Sequence, residues 1–121
     1  MLSHKIKKLL DDATGLKFSP VIGMSEIYPI ASYSLSDYSD EAISQSQLEV
    51  RLVSEDFDEL EELREKIKNK LHSKTENAGI KVDEYFIRAK IFGGSINPLG
   101  DGLFESTQFF IITWRKYNDT N

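Results

Sequence analysis

The segment 103–117 constrains the fold most, because it is apolar on both faces of an extended chain. In a strand, successive side chains point to opposite faces, so Phe110 and Trp114 share one face while Phe109 and Ile111 share the other. A strand with two apolar faces is typical of the interior of a sheet or of a contact with a partner. The sequence therefore predicts a sheet of several strands around this segment.

A second segment changes from the period of a strand to the period of a helix near Asp56. Apolar and polar residues alternate from Leu48 to Leu52, as expected of a strand with one buried face. Beyond Asp56 the apolar residues recur at helical spacing, and Asp56 and Glu59 have the spacing of a capping box. We therefore predict a strand that leads into a long helix over 57–73.

The remaining segments supply a short helix and two more strands. Apolar residues at helical spacing predict a helix over 2–14, and alternation predicts strands over 27–35 and 80–92. Pro29 cannot donate a ladder hydrogen bond, so the first strand should begin at a sheet edge or pair only after this position. The expected fold class is α+β, with a mainly antiparallel four-stranded sheet, one long helix packed on a face and a short N-terminal helix.

The length of 121 residues predicts a single domain over 1–121. Two segments rich in turn-forming residues, 36–46 and 93–102, are predicted to be flexible loops, the second as a long hairpin connection. Residues 118–121 are expected to fray.

Composition argues against most catalytic and metal chemistry. The chain has no cysteine, and its two histidines, His4 and His72, lie on lysine-rich helical faces. The acidic residues of 55–65 fit the first turns and outer face of a helix better than a cation site. The glycines of 93–102 lack the spacing of a phosphate-binding loop. We therefore expect no enzyme, no cofactor and no bound metal.

Charge is divided along the chain, although the formal net charge is −5. Residues 36–65 hold eleven acidic side chains against two basic ones, whereas 66–90 hold seven basic side chains against three acidic ones. This division predicts a molecule with surfaces of opposite charge. The negative net charge argues against tight nonspecific binding to nucleic acid. No apolar run has the length of a membrane span, so no membrane partner is expected.

The basic residues suggest one alternative function. Arg88 and Lys90 lie on a predicted strand with aromatic residues nearby, and the first helix is also basic. A small nucleic-acid-binding or regulatory module would use such features.

Three features follow one another along the chain: Tyr28-Pro29 ahead of an early strand, the strand-to-helix run from Gln47 to Leu71, and the late segment from Gly102 to Trp114. In this order they resemble the small tail-terminator and tail-completion proteins of long-tailed bacteriophages, also described as head–tail joining or neck proteins. The resemblance spans roughly 27–114 and is one of pattern and length. The basic N-terminal helix has no residue-by-residue match to a motif of the family.

The resemblance implies a structural virion or prophage protein. Members of the family form a ring, typically of six copies, that caps the tail tube and joins the tail to the head connector. The implied partners are further copies of this chain, a tail-tube protein and a head-connector protein, with no specific nucleic acid. The protein would be made in the cytoplasm of a bacterial host and reside in the virion tail or neck. The residues expected at a subunit or partner interface are Tyr38, Asp40, Glu41, Arg88, Lys90, Asn97, Leu99 and Phe104.

Overall fold

The computed structural model describes residues 2–20, 28–39, 44–71, 79–82 and 85–116. Within these residues the elements are α1 (Leu2–Thr14), β1 (Ile30–Ser39), β2 (Ser44–Ser54), α2 (Phe57–Leu71), β3 (Ile80–Val82), β4 (Tyr85–Gly100) and β5 (Leu103–Lys116). The strands form one antiparallel sheet in the order β1-β2-β5-β4-β3. The predicted α+β class is confirmed, and the described sheet has five strands where four were predicted.

Strand β5 is the central strand of the sheet. It pairs with β2 on one side and with β4 on the other, each along nearly its full length. Of the two alternatives for a segment apolar on both faces, the interior of a sheet or a contact with a partner, this position shows the first. Phe110 and Ile112 are fully buried on one face, whereas Phe109 and Ile111 are half-buried on the other.

Both helices lie on the same face of the sheet, which we call the inner face. Helix α2 packs on β2, β4 and β5, and α1 packs beside α2 with its apolar side chains in the same core. The largest buried side chains include Ile6, Leu10, Phe18, Leu48, Leu52, Leu60, Ile67, Phe110 and Ile112. In the described part of the chain no helix covers the opposite, outer face. Neither of the two described helices combines the length and the hydropathy needed to cross a membrane.

The first strand begins where its proline predicts. Strand β1 starts at Ile30, directly after Pro29, and it is an edge strand. Its outer edge is met by Ser19, whose backbone NH donates to Ala31 O and whose carbonyl accepts from Tyr33 N. The segment after α1 thereby covers part of this edge, which reduces its capacity to pair with another chain.

The prediction of a single strand over 80–92 was wrong, and this accounts for the fifth strand. Val82 pairs with Tyr85, so the chain reverses direction between these two residues and β3 becomes a short edge strand. The sequence carries the signal for this reversal. Apolar residues occupy even positions at Ile80 and Val82 but odd positions from Tyr85 onward, so the alternation changes phase.

Strands β1 and β2 extend into the predicted loop 36–46, contrary to expectation. Ser36 pairs with Gln47 and Asp37 pairs with Ser46. Ladder hydrogen bonds are made by the backbone, so a polar segment can extend a strand at a sheet edge. Residues 40–43 of this predicted loop, and the predicted frayed end 118–121, lie outside the described residues.

The predicted long connection over 93–102 is instead a paired strand with a tight turn. Strand β4 continues to Gly100, and only Asp101 and Gly102 connect it to β5. Both turn residues have positive φ, at 54° and 77°, as the favoured two-residue hairpin turns require. The register of β4 shifts twice, near Gly93 and near Gly100, so bulges absorb the glycines and the proline within a continuous strand.

Helix α2 begins with a cap in which a serine takes part. The Asp56 carboxylate accepts a hydrogen bond from Glu59 N at 3.2 Å, as the sequence predicts. The reciprocal half of the capping box runs through Ser54, because Asp56 N donates to Ser54 Oγ at 3.0 Å. Ser54 Oγ in turn donates to Glu59 Oε1 at 2.7 Å.

Replacing Asp56 by alanine is expected to lower the free energy of unfolding by about 1 kcal/mol, because the Glu59 amide loses its acceptor. Urea denaturation followed by circular dichroism would measure this change. Asp56→Ser retains a capping oxygen and should remain within a few tenths of a kcal/mol of the natural chain. An equal loss in both variants would contradict the capping role.

Candidate interaction surfaces

The predicted interface residues divide into those that the structure places and those that it does not. Asp40 and Glu41 lie outside the described residues, and Tyr38 lies in β1 with a side chain outside the description. The other five residues all lie on the β4–β5 hairpin, and they fall on separate surfaces. These five are Arg88, Lys90, Asn97, Leu99 and Phe104.

Arg88 and Lys90 project from the outer face of the sheet. They alternate along β4 with the buried Ile87 and Ala89, which face the helices. Other cations join them on the same face, because Lys81 on β3 and Arg115 on β5 both lie opposite Phe86 in the ladder. We call the following set the basic patch. It consists of Lys81, Phe86, Arg88, Lys90, Phe92, Phe109 and Arg115.

The basic patch contains exposed apolar surface between its charges. Phe92 is 54% exposed, and its ring centroid lies 5.9 Å from that of Phe109 on the neighbouring strand. The Arg115 guanidinium lies over the Phe86 ring, 5.4 Å from its centroid. Such a mixture of aromatic rings and arginine is typical of surfaces that contact other macromolecules.

Leu99 and Phe104 lie near the tip of the hairpin, beside the start of α2. Phe104 packs edge-to-face on Phe57 with ring centroids 5.5 Å apart, and it pairs across the ladder with Pro98, the neighbour of Leu99. Phe57 is 40% exposed and Leu99 is 51% exposed. We call the surface of Phe57 and Phe104, with the exposed acids that flank it in sequence, the acidic patch. It consists of Glu55, Phe57, Asp58, Asp101 and Phe104. Leu99 is the unpaired residue of the second bulge of β4 and is not part of this patch.

Asn97 lies near the same end of the molecule but on the outer face. It pairs across the ladder with Glu105, which forms an ion pair with Arg51. The Asn97 side chain donates to Ser95 Oγ at 2.9 Å. Asn97 is therefore engaged in local contacts and is separate from the acidic patch.

The basic and acidic patches are well separated on one chain. Lys90 and Pro98, the ladder partner of Phe104, are eight positions apart along β4, or roughly 26 Å at about 3.3 Å per residue of strand. Of the predicted interface residues, Arg88 and Lys90 lie in the basic patch and Phe104 lies in the acidic patch. Sequence reasoning placed Phe57 on the buried face of the helix, because its spacing is that of core residues, whereas Phe92 shares the even positions of Arg88 and Lys90 on β4.

The basic features of the nucleic-acid alternative lie on opposite sides of the sheet. Helix α1 packs beside α2 on the inner face, whereas Arg88 and Lys90 project from the outer face. One nucleic-acid strand could not follow both along a single surface. Among the described residues there is also no group of three His, Cys, Asp or Glu side chains that could hold a metal ion.

Arg64 on α2 fixes the hairpin arm that carries the acidic patch. Its Nη1 donates to Ser95 O at 3.0 Å, to Ser106 Oγ at 2.8 Å and to Thr107 O at 3.0 Å. Gln108 Nε2 returns a hydrogen bond to Arg64 O at 3.2 Å. Burial lowers the pKa of Arg64, and the nearby Glu61 carboxylate raises this pKa in part. The guanidinium still carries its charge at neutral pH.

Arg64→Met is expected to lower the free energy of unfolding by about 2 kcal/mol, because the acceptors on β4 and β5 lose a charged donor. Urea denaturation monitored by the fluorescence of Trp114, the single tryptophan, would measure the loss. Lys66→Met removes the same charge from an exposed position of α2 and should change stability by less than about 0.5 kcal/mol. Equal effects would show that Arg64 acts through net charge alone.

Comparisons with known proteins show the fold. No protein-family model and no curated protein sequence matches the chain. A matching solved structure is a chain from the "Virion of native gene transfer agent (GTA) particle", with a TM-score of 0.66 and 8% sequence identity. The match covers 93% of this chain and 93% of that chain. The two chains therefore share a fold over nearly their whole lengths.

Proposed function

We propose that this chain is a structural protein of a phage-like virion or prophage. The observation that carries the proposal is the shared fold with a chain of a gene transfer agent virion, over 93% of both chains. The order of strand, helix and late apolar strand supports the same class, because it resembles that of phage tail-completion proteins. The proposal includes no catalytic activity and no cofactor.

The specific role that we propose is a ring that caps the tail tube and joins the tail to the head connector. A ring of identical copies needs two different, complementary surfaces on each subunit. The acidic and basic patches meet this requirement, since they differ in charge and lie far apart on the chain. The assembled protein would lie in the tail or neck of the particle.

Native mass spectrometry and light scattering of the full chain would test this role, alone and with the tail-tube protein of the same particle. We expect a closed oligomer, with six copies as the first expectation, and electron microscopy should place it at tube ends. A chain that stays monomeric and does not bind tube ends would overturn the proposal.

A second candidate function is favoured by one observation, the cations and aromatic rings on the outer face of the sheet. Single-stranded nucleic acid binds to such faces through phosphate contacts and stacking. A gel-shift assay with single-stranded DNA at two salt concentrations separates the candidates. The virion role predicts no retention even at low salt, whereas a nucleic-acid module predicts binding that weakens steeply with salt.

A further inference from the structure

We infer that the acidic patch of one copy docks on the basic patch of a second copy, so that neighbours contact head to tail. This inference rests on the proposed function, because it names the contact by which copies of the chain would assemble. One copy contributes the tip of its β4–β5 hairpin and the start of its α2. The neighbouring copy contributes the outer face of its β4 and β5.

The positions of the exposed apolar side chains favour these two patches as contact surfaces over the rest of the described surface. Two of the four large apolar side chains that are exposed among the described residues, Phe57 and Phe92, lie in them. Isolated exposed apolar residues are ordinary, but aromatic residues next to one another and bordered by charge mark contact surfaces. Each patch has such a pair, Phe57 with Phe104 and Phe92 with Phe109.

Charge complementarity identifies a second copy as the occupant. The acids beside Phe57 and at the hairpin turn are exposed, and the exposed face of α2 continues with Glu61, Glu62 and Glu65. The basic patch presents four cations of the opposite sign. Complementary potentials of this kind fix the register of a contact and disfavour like-charged alternatives. Because the patches differ, each docked pair leaves one free patch of each kind, and the contact can repeat.

The same surface is a poor fit for nucleic acid. The Phe86 ring is covered by Arg115, and it also lies so near Gly79 that a Cβ on Gly79 would be 2.5 Å from Phe86 Cζ. One face of this ring is therefore occupied by Arg115 and its far end is close to Gly79, which leaves little room for a base.

Charge reversal on the full chain tests the docking. One variant carries Arg88→Glu and Lys90→Glu, and a second carries Glu55→Lys and Asp58→Lys. Each is expected to self-associate at least tenfold more weakly than the natural chain in sedimentation velocity experiments. An equimolar mixture of the two variants should recover association, because each then meets a neighbour of opposite charge. A chain with all four substitutions should also recover it, which excludes misfolding as the cause of the loss.

The control is Lys66→Glu with Lys68→Glu. It changes the net charge by the same amount as Arg88→Glu with Lys90→Glu, at exposed positions of α2 outside both patches. Its association should stay within twofold of the natural chain. If the natural chain assembles but the reversals have no effect, or if the mixture does not recover, the docking is overturned while the virion role stands. If the natural chain is monomeric both alone and with tail tubes, the proposed function itself fails.

Discussion

Phe110→Ala should lower the free energy of unfolding by about 3–5 kcal/mol, the range observed when a buried phenylalanine is truncated. Phe110 is fully buried at the centre of the central strand, where it pairs with Leu48 on one side and Ile91 on the other. The inner face above it is covered by the helices, so the cavity left by alanine cannot be filled without moving an element. Domains of this size have a total stability of about 5–15 kcal/mol, so the variant would lose between about a fifth and all of it.

The matched control is the next residue along the strand. Phe109→Ala removes the same side chain from the outer face, where it is half-buried and contacts Phe92. We expect a loss of about 1 kcal/mol, because solvent can fill the space that the ring leaves. Urea denaturation monitored by Trp114 fluorescence measures both variants. Equal losses at Phe109 and Phe110 would contradict a core confined to one face of the sheet.

The contrast between these two neighbours marks what the sequence could and could not predict. Apolar side chains on both faces of β5 predicted either the interior of a sheet or a contact with a partner, and the structure places β5 between β2 and β4. The pattern of one strand does not reveal which face the helices cover, because that depends on contacts between residues far apart in the chain. Features that depend only on neighbouring residues were predicted correctly, as with the cap at Asp56 and the start of β1 after Pro29.

The candidate surfaces depend on the same distant contacts. Charge segregation along the sequence predicted surfaces of opposite sign, and Arg88 and Lys90 lie in the basic patch whereas Phe104 lies in the acidic patch. That these residues form an interface stays a prediction. The exposure of Phe57 could not be read from its spacing, since buried residues of a helix have that spacing too, whereas Phe92 shares the even positions of Arg88 and Lys90 on the outer face. Exposure is set by whether another element reaches the residue.

Glycine and proline content misled the prediction over 93–102, because these residues are usual in loops and disfavoured in strands. Here two bulges and the hydrogen bonds of Arg64 hold the segment against β5. The requirement for glycine at position 94 has a specific structural reason. Its backbone lies so close to β5 that a Cβ would overlap Thr107 O and would lie 3.1 Å from Gln108 Cα. Only a residue without a side chain fits this approach.

Gly94→Ala is therefore expected to lower the free energy of unfolding by about 3 kcal/mol. The overlapping atom belongs to the backbone of β5 and accepts a hydrogen bond from Arg64, so relief requires β4 to separate from β5. A positive φ of 152° at Gly94 adds strain for any residue with a Cβ. Urea denaturation would measure the loss, and amide exchange should show faster opening along the hairpin.

Gly93→Ala provides the matched control one position away. A Cβ on Gly93 would meet only Phe109 Cδ2 at 3.9 Å, which is an ordinary contact. This variant should lie within about 0.5 kcal/mol of the natural chain, or be slightly more stable, because alanine restricts the unfolded chain. Equal losses of stability in the two alanine variants would mean that any side chain in this part of the hairpin is destabilising. That result would contradict the claim that the close approach of Gly94 to β5 requires glycine. If only Gly94→Ala is destabilised, the hairpin arm depends on this approach to hold the acidic patch against α2.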